Sequence, residues 1–272
     1  MKMKSAYLKT FIKEIQYKNR NPQNTKALEL LDDKTTNPEI VIDANSLLYR
    51  CRVVTDISRV GKEQNVYGYN AKDSFVPPPE RTRDLRANYR YIPYLYCANN
   101  PYVALAEVRP RLGAMVSIAT IVTKEPITLL DLTLQQKPPK MTDAKVNLFQ
   151  DLSILYSTPV TNDDDILDYI PTQYIAEYAK SKHYDGIAFS SSVVPEINKK
   201  HPERYNVVVF NFDKCEVVRS NLISVGSINF ECEQVDQDAQ KINVISYIEE
   251  ELDAIHEYQT KLIGDQKQLV EI

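Results

Sequence analysis

Apolar residues recur at helical spacing near the start of the chain, at Leu8, Phe11, Ile12 and Ile15, and predict an amphipathic helix. Asn19 to Asn24 interrupts it, and a second short helix is expected over Thr25 to Leu31. Over Leu47 to Val54 (LLYRCRVV) the pattern changes to alternation. Leu47, Tyr49, Cys51 and Val53 share one face of a predicted strand, and Leu48, Arg50 and Arg52 the other. Two arginines on one face of an apolar strand fit either a solvent-facing edge or an anion site, because guanidinium forks match phosphate oxygens. From Asp56 to Arg86 no periodicity is visible. That segment holds Gly61, Gly68 and the run Pro77-Pro78-Pro79, and a connection of such length inside a domain is mobile or functional. Its Tyr67, Tyr69 and Phe75 could cover a pocket or pack on the surface.

The stretch from Arg86 to Pro110, RANYRYIPYLYCANNPYVALAEVRP, organises the rest. Ile92 to Ala98 reads as a buried strand. Asn100 is a good N-cap, and Pro101 suits the first helical position, where its missing N–H costs nothing. A short helix is expected over Tyr102 to Arg109, ended by Pro110 and Gly113. Val103, Ala104 and Glu107 share one face of that helix. If the face packs on a sheet, the carboxylate is drawn inward and needs a cation or several donors. Arg86, Arg90, Arg109, Arg50 and Arg52 are the available cations. The plainer alternative is a surface glutamate paired with Arg109.

Further strands are expected over Met115 to Val122, Ile127 to Leu132, Ile187 to Phe189, Tyr205 to Phe212 and, as one strand or two, Val217 to Ser227. The continuous apolar run Tyr205 to Phe212 should be central. Thr142 caps a helix bearing Val146, Phe149, Leu152 and Leu155, and Thr172 opens another bearing Ile175, Tyr178 and Ala179. Lys137 to Lys140 is a loop, and Asp163, Asp164 and Asp165 read as a solvated loop or helix start. From about Asp236 to Leu262 an apolar stripe of Ile242, Ile245, Ile248, Leu252 and Ile255 predicts a long helix, with Gly264 as its stop.

Composition narrows the chemistry. The chain has 272 residues, 43% apolar and 26% charged, with a formal net charge of −4 and no long basic run, which argues against a direct nucleic-acid footprint. Cys51, Cys97, Cys215 and Cys232 lack C-x-x-C spacing, so reduced buried thiols in a cytoplasmic protein are expected. No apolar run reaches a membrane span, and Lys9 and Lys13 interrupt any signal-peptide core. Six glycines include no phosphate-binding loop motif, so an anion would be held by arginines or a helix N-terminus. His183, His201 and His256 have no ligand-spaced neighbours, so no metal site is expected. A serine hydrolase would lack its G-x-S-x-G elbow, and no second acid accompanies Glu107 for glycosidase chemistry.

Arginines, tyrosines, one glutamate and a strand-end serine cluster remain. Arginines suit a pyrophosphate, tyrosines a flat ring, and a carboxylate a developing positive charge. Those needs coincide in cleavage of the ribosyl–nicotinamide bond of NAD, one reaction among several that the pattern alone would allow.

Four blocks carry a family resemblance: LYR ending at Arg50, RANYRYIPYLYCANNPYVALAEVRP, YDGIAFSSS, and the strand opening YNVVVF. Over roughly Leu47 to Phe212 the chain resembles the RES-domain proteins, a family named for an Arg, a Glu and a Ser. The resemblance implies an α+β fold like that of the ADP-ribosyltransferases, with a split β-core and flanking helices. With the helices read from apolar spacing, the chain is expected to divide into three regions: a helical N-terminal extension over 1–45, the RES domain over 46–230, and a C-terminal helix over 231–272 that docks or mediates homo-oligomer contact. It implies NAD as substrate, consumed by hydrolysis or, with inorganic phosphate as co-substrate, by phosphorolysis, with no cofactor. Many relatives are bacterial toxins held in check by a helix-turn-helix (Xre-type) antitoxin, and some are reported to transfer ADP-ribose to a protein. A binding module that keeps the fold without the chemistry is a third alternative.

Carried over by residue, the resemblance makes Arg50, Glu107 and Ser190 catalytic, and Arg86, Tyr96 and Asn206 substrate-binding. Arg50 would contact an NAD phosphate or orient the substrate, and Arg86 matches the second arginine. Tyr96 would stack on nicotinamide, and Glu107 would hold a ribose hydroxyl and stabilise the cation. Ser190 is the best match to the family serine, with Ser191 and Ser192 as competitors. Cys51 stands where some relatives carry Tyr.

Overall fold

A computed structural model of the chain describes residues 3–61, 66–135, 138–158, 166–193, 204–228, 233–235 and 241–243. Two compact units divide it, 1–226 and 227–272.

The first unit is α+β. Helices α1 (Ala6–Tyr17) and α2 (Lys26–Asp32) open it. Ser5 Oγ accepts from the Leu8 N–H, and Thr25 Oγ1 from the Leu28 N–H, so each helix starts where a side-chain oxygen satisfies an orphan donor. Strands β1 (Glu39–Ile42) and β2 (Leu47–Val53) follow, then the two-residue β3 (Val66–Tyr67) and the single turn α3 (Ala71–Ser74). The organising stretch gives β4 (Leu95–Ala98) and α4 (Pro101–Glu107). Next come β5 (Met115–Thr123), β6 (Ile127–Asp131), α5 (Asp143–Ser157), α6 (Ile170–Ser181), β7 (Gly186–Ser190), β8 (Tyr205–Val209) and β9 (Cys215–Ser224).

Among the described residues these nine strands form one sheet in the order β1-β6-β7-β8-β4-β2-β5-β9-β3. The β6–β7 pair is parallel, and α5 and α6 supply the crossover that a parallel pair requires. The sheet has a seam. Strand β2 meets β5 over seven register pairs, but it meets β4 at one, Tyr49 opposite Ala98. The expected split core is this seam: β1-β6-β7-β8-β4 lie on one side and β2-β5-β9-β3 on the other.

The larger apolar cluster lies between the helices and one face of the sheet. Leu8, Phe11, Ile15, Ala27, Leu28 and Leu31 belong to it with Phe149, Tyr156, Ile175 and Val208. The N-terminal helices are thus built into the main core. A second cluster on β1, β2 and β4–β9 receives Phe75 and Val76, and a third joins Val103 and Ala104 of α4 to Cys51 and Val116.

Several boundaries differ from the sequence reading. Strand β4 begins at Leu95, because Tyr91 adopts φ 70° and Tyr91 and Ile92 are exposed in a turn. Helix α4 ends at Glu107 and Arg109 reverses the chain at φ 43°. Strand β8 stops at Val209, and Phe212 opens a 3-10 turn. Strand β2 is interior, so its arginines do not mark a sheet edge. Tyr69 is buried and Tyr67 exposed. No part of Tyr67, Tyr69 or Phe75 lines the cavity described below.

In the second unit β10 (Glu233–Val235) pairs antiparallel with β11 (Lys241–Asn243). Lys241 to Asn243 is therefore strand where the apolar stripe predicted helix; pairing with β10 satisfies its backbone instead. The rest of that expected helix, Gly264, Asp163 to Asp165, Lys137, Cys232, His201 and His256 lie outside the described residues. Cys51, Cys97 and Cys215 are free and buried. Among the described residues no helix is long and apolar enough to cross a membrane.

Candidate functional site

A cavity of about 490 Å³ opens at the seam, within the range of small-molecule sites. Its lining includes β2 with Arg50, the turn carrying Arg86, β4 with Tyr96, α4 with Glu107, the end of α5 with Tyr156, the end of β7 with Ser190, Ser192 just past it, and β8 with Asn206. All six residues expected at the site thus converge on one cavity. Arg109 lines it too, so among the described residues three arginines and one carboxylate line the wall, a net positive set.

Strand β2 presents Arg50 beside the splayed seam. Its Nη1 donates to the Phe75 carbonyl at 2.7 Å, and Arg52 Nη2 donates to the same oxygen at 3.1 Å. Burial, then the neighbouring Arg52, pulls Arg50 down to about 10, which leaves it charged at neutral pH. The 56–86 connection therefore contributes a backbone carbonyl that holds two guanidinium groups. Phe75 itself packs against Phe212 with ring centroids 5.9 Å apart, which fixes that carbonyl.

Arg86 donates to the Tyr156 carbonyl at the C-terminal turn of α5. Cations are favoured there by the orphan carbonyls and the helix dipole. The next residue, Ser157, places Oγ 2.8 Å from the Ser190 carbonyl, so the end of α5 ties Arg86 and the end of β7 to one point.

Tyr96 Oη donates to Asn88 Oδ1 at 2.8 Å and accepts from the Ala87 N–H at 3.1 Å. Burial pushes its phenol well up, against a pull from the Ala87 N–H and from Arg86 and Arg50. Tyr96 is therefore a neutral aromatic wall whose hydroxyl is already engaged.

Glu107 is the last residue of α4 and is exposed. The first turn of the helix buries Val103 and Ala104, and one turn later the same face reaches the cavity at Glu107. The carboxylate is thus not drawn into the core. It stands on the cavity wall, where Oε1 accepts from Asn206 Nδ2 at 2.6 Å and from Ser191 Oγ at 2.7 Å. Among the described residues it makes no ion pair with Arg109. Asn206 is 6% exposed. Of the three serines, Ser191 bonds the acid, while Ser190 and Ser192 line the cavity.

Sequence reasoning missed Tyr49, Tyr156, Tyr169 and Phe189, which add aromatic wall. The Tyr156 and Phe189 rings lie 5.5 Å apart. Phe189 falls in the expected strand Ile187 to Phe189 and Tyr156 just beyond the apolar positions assigned to its helix, and nothing local marks either as lining. Among the described residues no cluster of three or more His, Cys, Asp or Glu could hold a metal.

The RES-domain family model matches residues 56–229, well over half of the 272 residues, and the chain belongs to the RES-domain family. Arg50 precedes the matched span, so its place at the site rests on geometry. Among curated proteins none matches. The crystal structure of the M. tuberculosis MbcT-MbcA toxin-antitoxin complex contains a similar chain, at 14% identity and a TM-score of 0.42, covering 73% of this chain and 91% of that one.

Proposed function

We propose that the chain consumes NAD by breaking its ribosyl–nicotinamide bond. One observation carries the reading: Arg50, Arg86, Tyr96, Glu107 and Asn206, drawn from five segments, line one net-positive, aromatic-walled cavity. Membership of the RES-domain family supports it. The arginines provide charge for a pyrophosphate, and the aromatic walls accept flat rings. When the C–N bond breaks, its electron pair leaves with nicotinamide, whose ring becomes neutral. Positive charge develops on the ribose, and the Glu107 carboxylate is fixed to stabilise it. An oxygen of water or of inorganic phosphate then adds to the ribose carbon; water loses a proton as it does so. These outcomes are the glycohydrolase and phosphorylase forms of one reaction. A toxin or defence role, kept in check by a helix-turn-helix partner, is consistent with draining NAD.

Purified protein incubated with NAD, with and without phosphate, tests the reading. Nicotinamide release is expected, with ADP-ribose as co-product in buffer alone or its phosphorylated form when phosphate is the acceptor. No release under either condition from folded protein contradicts it. Label from NAD on a protein band would point instead to ADP-ribose transfer.

A further inference from the structure

Asn88 and Gln173 are each 1% exposed, and neither lines the cavity. Asn88 bonds Tyr96 and Gln173 bonds Leu85, both of which do. Asn88 Oδ1 accepts from Tyr96 Oη at 2.8 Å, while Asn88 Nδ2 donates to the Arg83 and Tyr89 carbonyls, each at 2.9 Å. Gln173 Nε2, from α6, donates to the Leu85 and Asn88 carbonyls, each at 2.9 Å. Leu85 and Asn88 also bridge backbone to backbone, and Arg86 sits between them in that turn. One buried amide therefore ties the aromatic wall on β4 to the turn that carries an arginine, and a second amide ties the turn to α6. Buried amides of this kind cost stability unless they are hydrogen-bonded, and here both amide nitrogens and the Asn88 oxygen bond to the turn or to Tyr96.

We infer that Asn88, with Gln173 behind it, is a positioning residue that aims Tyr96 and the Arg86 turn into the cavity. The inference rests on the proposed NAD reaction and adds a residue that touches no substrate. The Asn88 oxygen is the part that acts on Tyr96; the Asn88 amide nitrogen serves the turn.

The test compares Tyr96→Phe, Asn88→Ala, Asn88→Asp and the Tyr96→Phe/Asn88→Ala double variant in NAD kinetics, with thermal midpoints alongside. Tyr96→Phe should raise KM by about tenfold, as loss of one buried hydrogen bond would, and Asn88→Ala, which also leaves the Arg83 and Tyr89 carbonyls without its amide, by at least as much, with kcat nearly unchanged in both. The double variant should be no worse than the poorer single, because the two act as one unit. Asn88→Asp keeps the oxygen that accepts from Tyr96 but sets a carboxylate oxygen against the Arg83 and Tyr89 carbonyls, so it should give a lower KM than Asn88→Ala at the expense of the thermal midpoint. Should Asn88→Ala not fold, Tyr96→Phe against Asn88→Asp carries the same contrast. Multiplicative effects, or variants that lose only thermal stability at wild-type KM, overturn the positioning role. If the wild type neither releases nicotinamide nor binds ADP-ribose, the NAD reading fails separately. The ζ-carbon NMR signal of Tyr96 then decides the positioning: a shift in Asn88→Asp or Asn88→Ala supports it, and an unmoved signal overturns it.

Discussion

Asn206 reaches from β8 to α4 and donates its side-chain amide to Glu107 Oε1 at 2.6 Å. A buried strand residue thereby fixes an exposed carboxylate at the end of a helix of seven residues. The acid gains a defined direction without being buried and avoids the desolvation that an interior carboxylate would suffer. Replacing Asn206 with Ala should lower kcat by about tenfold to a hundredfold, the range for a hydrogen bond to a charged group, and leave KM nearly unchanged. Steady-state kinetics with NAD checks this.

Ser191, at 2.7 Å from the same carboxylate oxygen, is expected to matter more than its neighbours. Ser191→Ala should reduce turnover by about tenfold, and Ser192→Ala by less. Equal effects would show that the Ser191 hydroxyl has no special tie to the acid.

The buried guanidinium of Arg50 gives a pH signature. Its pKa is pulled down to about 10, below that of an unfolded arginine. Folding therefore disfavours its proton. The charge weighs on stability below the folded value, and that cost fades as pH rises from about 10 toward the unfolded pKa. Anion binding follows the opposite course: KM for NAD should be insensitive to this group near neutrality and rise above pH of about 10. Arg50→Gln should remove that high-pH limb and raise KM throughout.

The N-terminal helices should prove indispensable. Phe11 is fully buried and lies 5.6 Å from the Tyr174 ring. Phe11→Ala is expected to cost about 3–5 kcal/mol, measured by urea unfolding. A loss under about 1 kcal/mol would fit helices resting loosely on the domain instead.

Gly186 opens β7 against β8, and a Cβ there would stand 2.2 Å from the Val208 carbonyl oxygen. Gly186→Ala should therefore destabilise the sheet by at least about 1–3 kcal/mol, and it acts beside the cavity wall. Thermal unfolding of the purified variant checks it.

Much of this was legible in the residues. The cap at Asn100, Pro101 behind it, and the apolar face of Val103 and Ala104 defined α4, because capping and helical spacing are local properties. Alternation set the two faces of β2. The convergence of Arg50, Arg86, Tyr96, Glu107, Ser190 and Asn206 was legible through the family motif, not through periodicity. What stayed hidden depends on packing. The order of strands puts β2 inside the sheet, and the seam with β4 is a tertiary fact. Phe75 acts through its carbonyl, which no side-chain pattern reveals. Tyr156 and Phe189 look like core and serve as wall as well. The stripe from Ile242 was read as helix, but pairing with β10 puts Lys241 to Asn243 in a strand.

The most direct measurement is nicotinamide release from NAD by the wild type and by Glu107→Gln, at matched concentration and with folding confirmed by circular dichroism. The account predicts release by the wild type and a loss of turnover of a hundredfold or more (about 3 kcal/mol) in the variant, with the fold unchanged. Release that is undiminished in folded Glu107→Gln, or absent from the wild type, would contradict it.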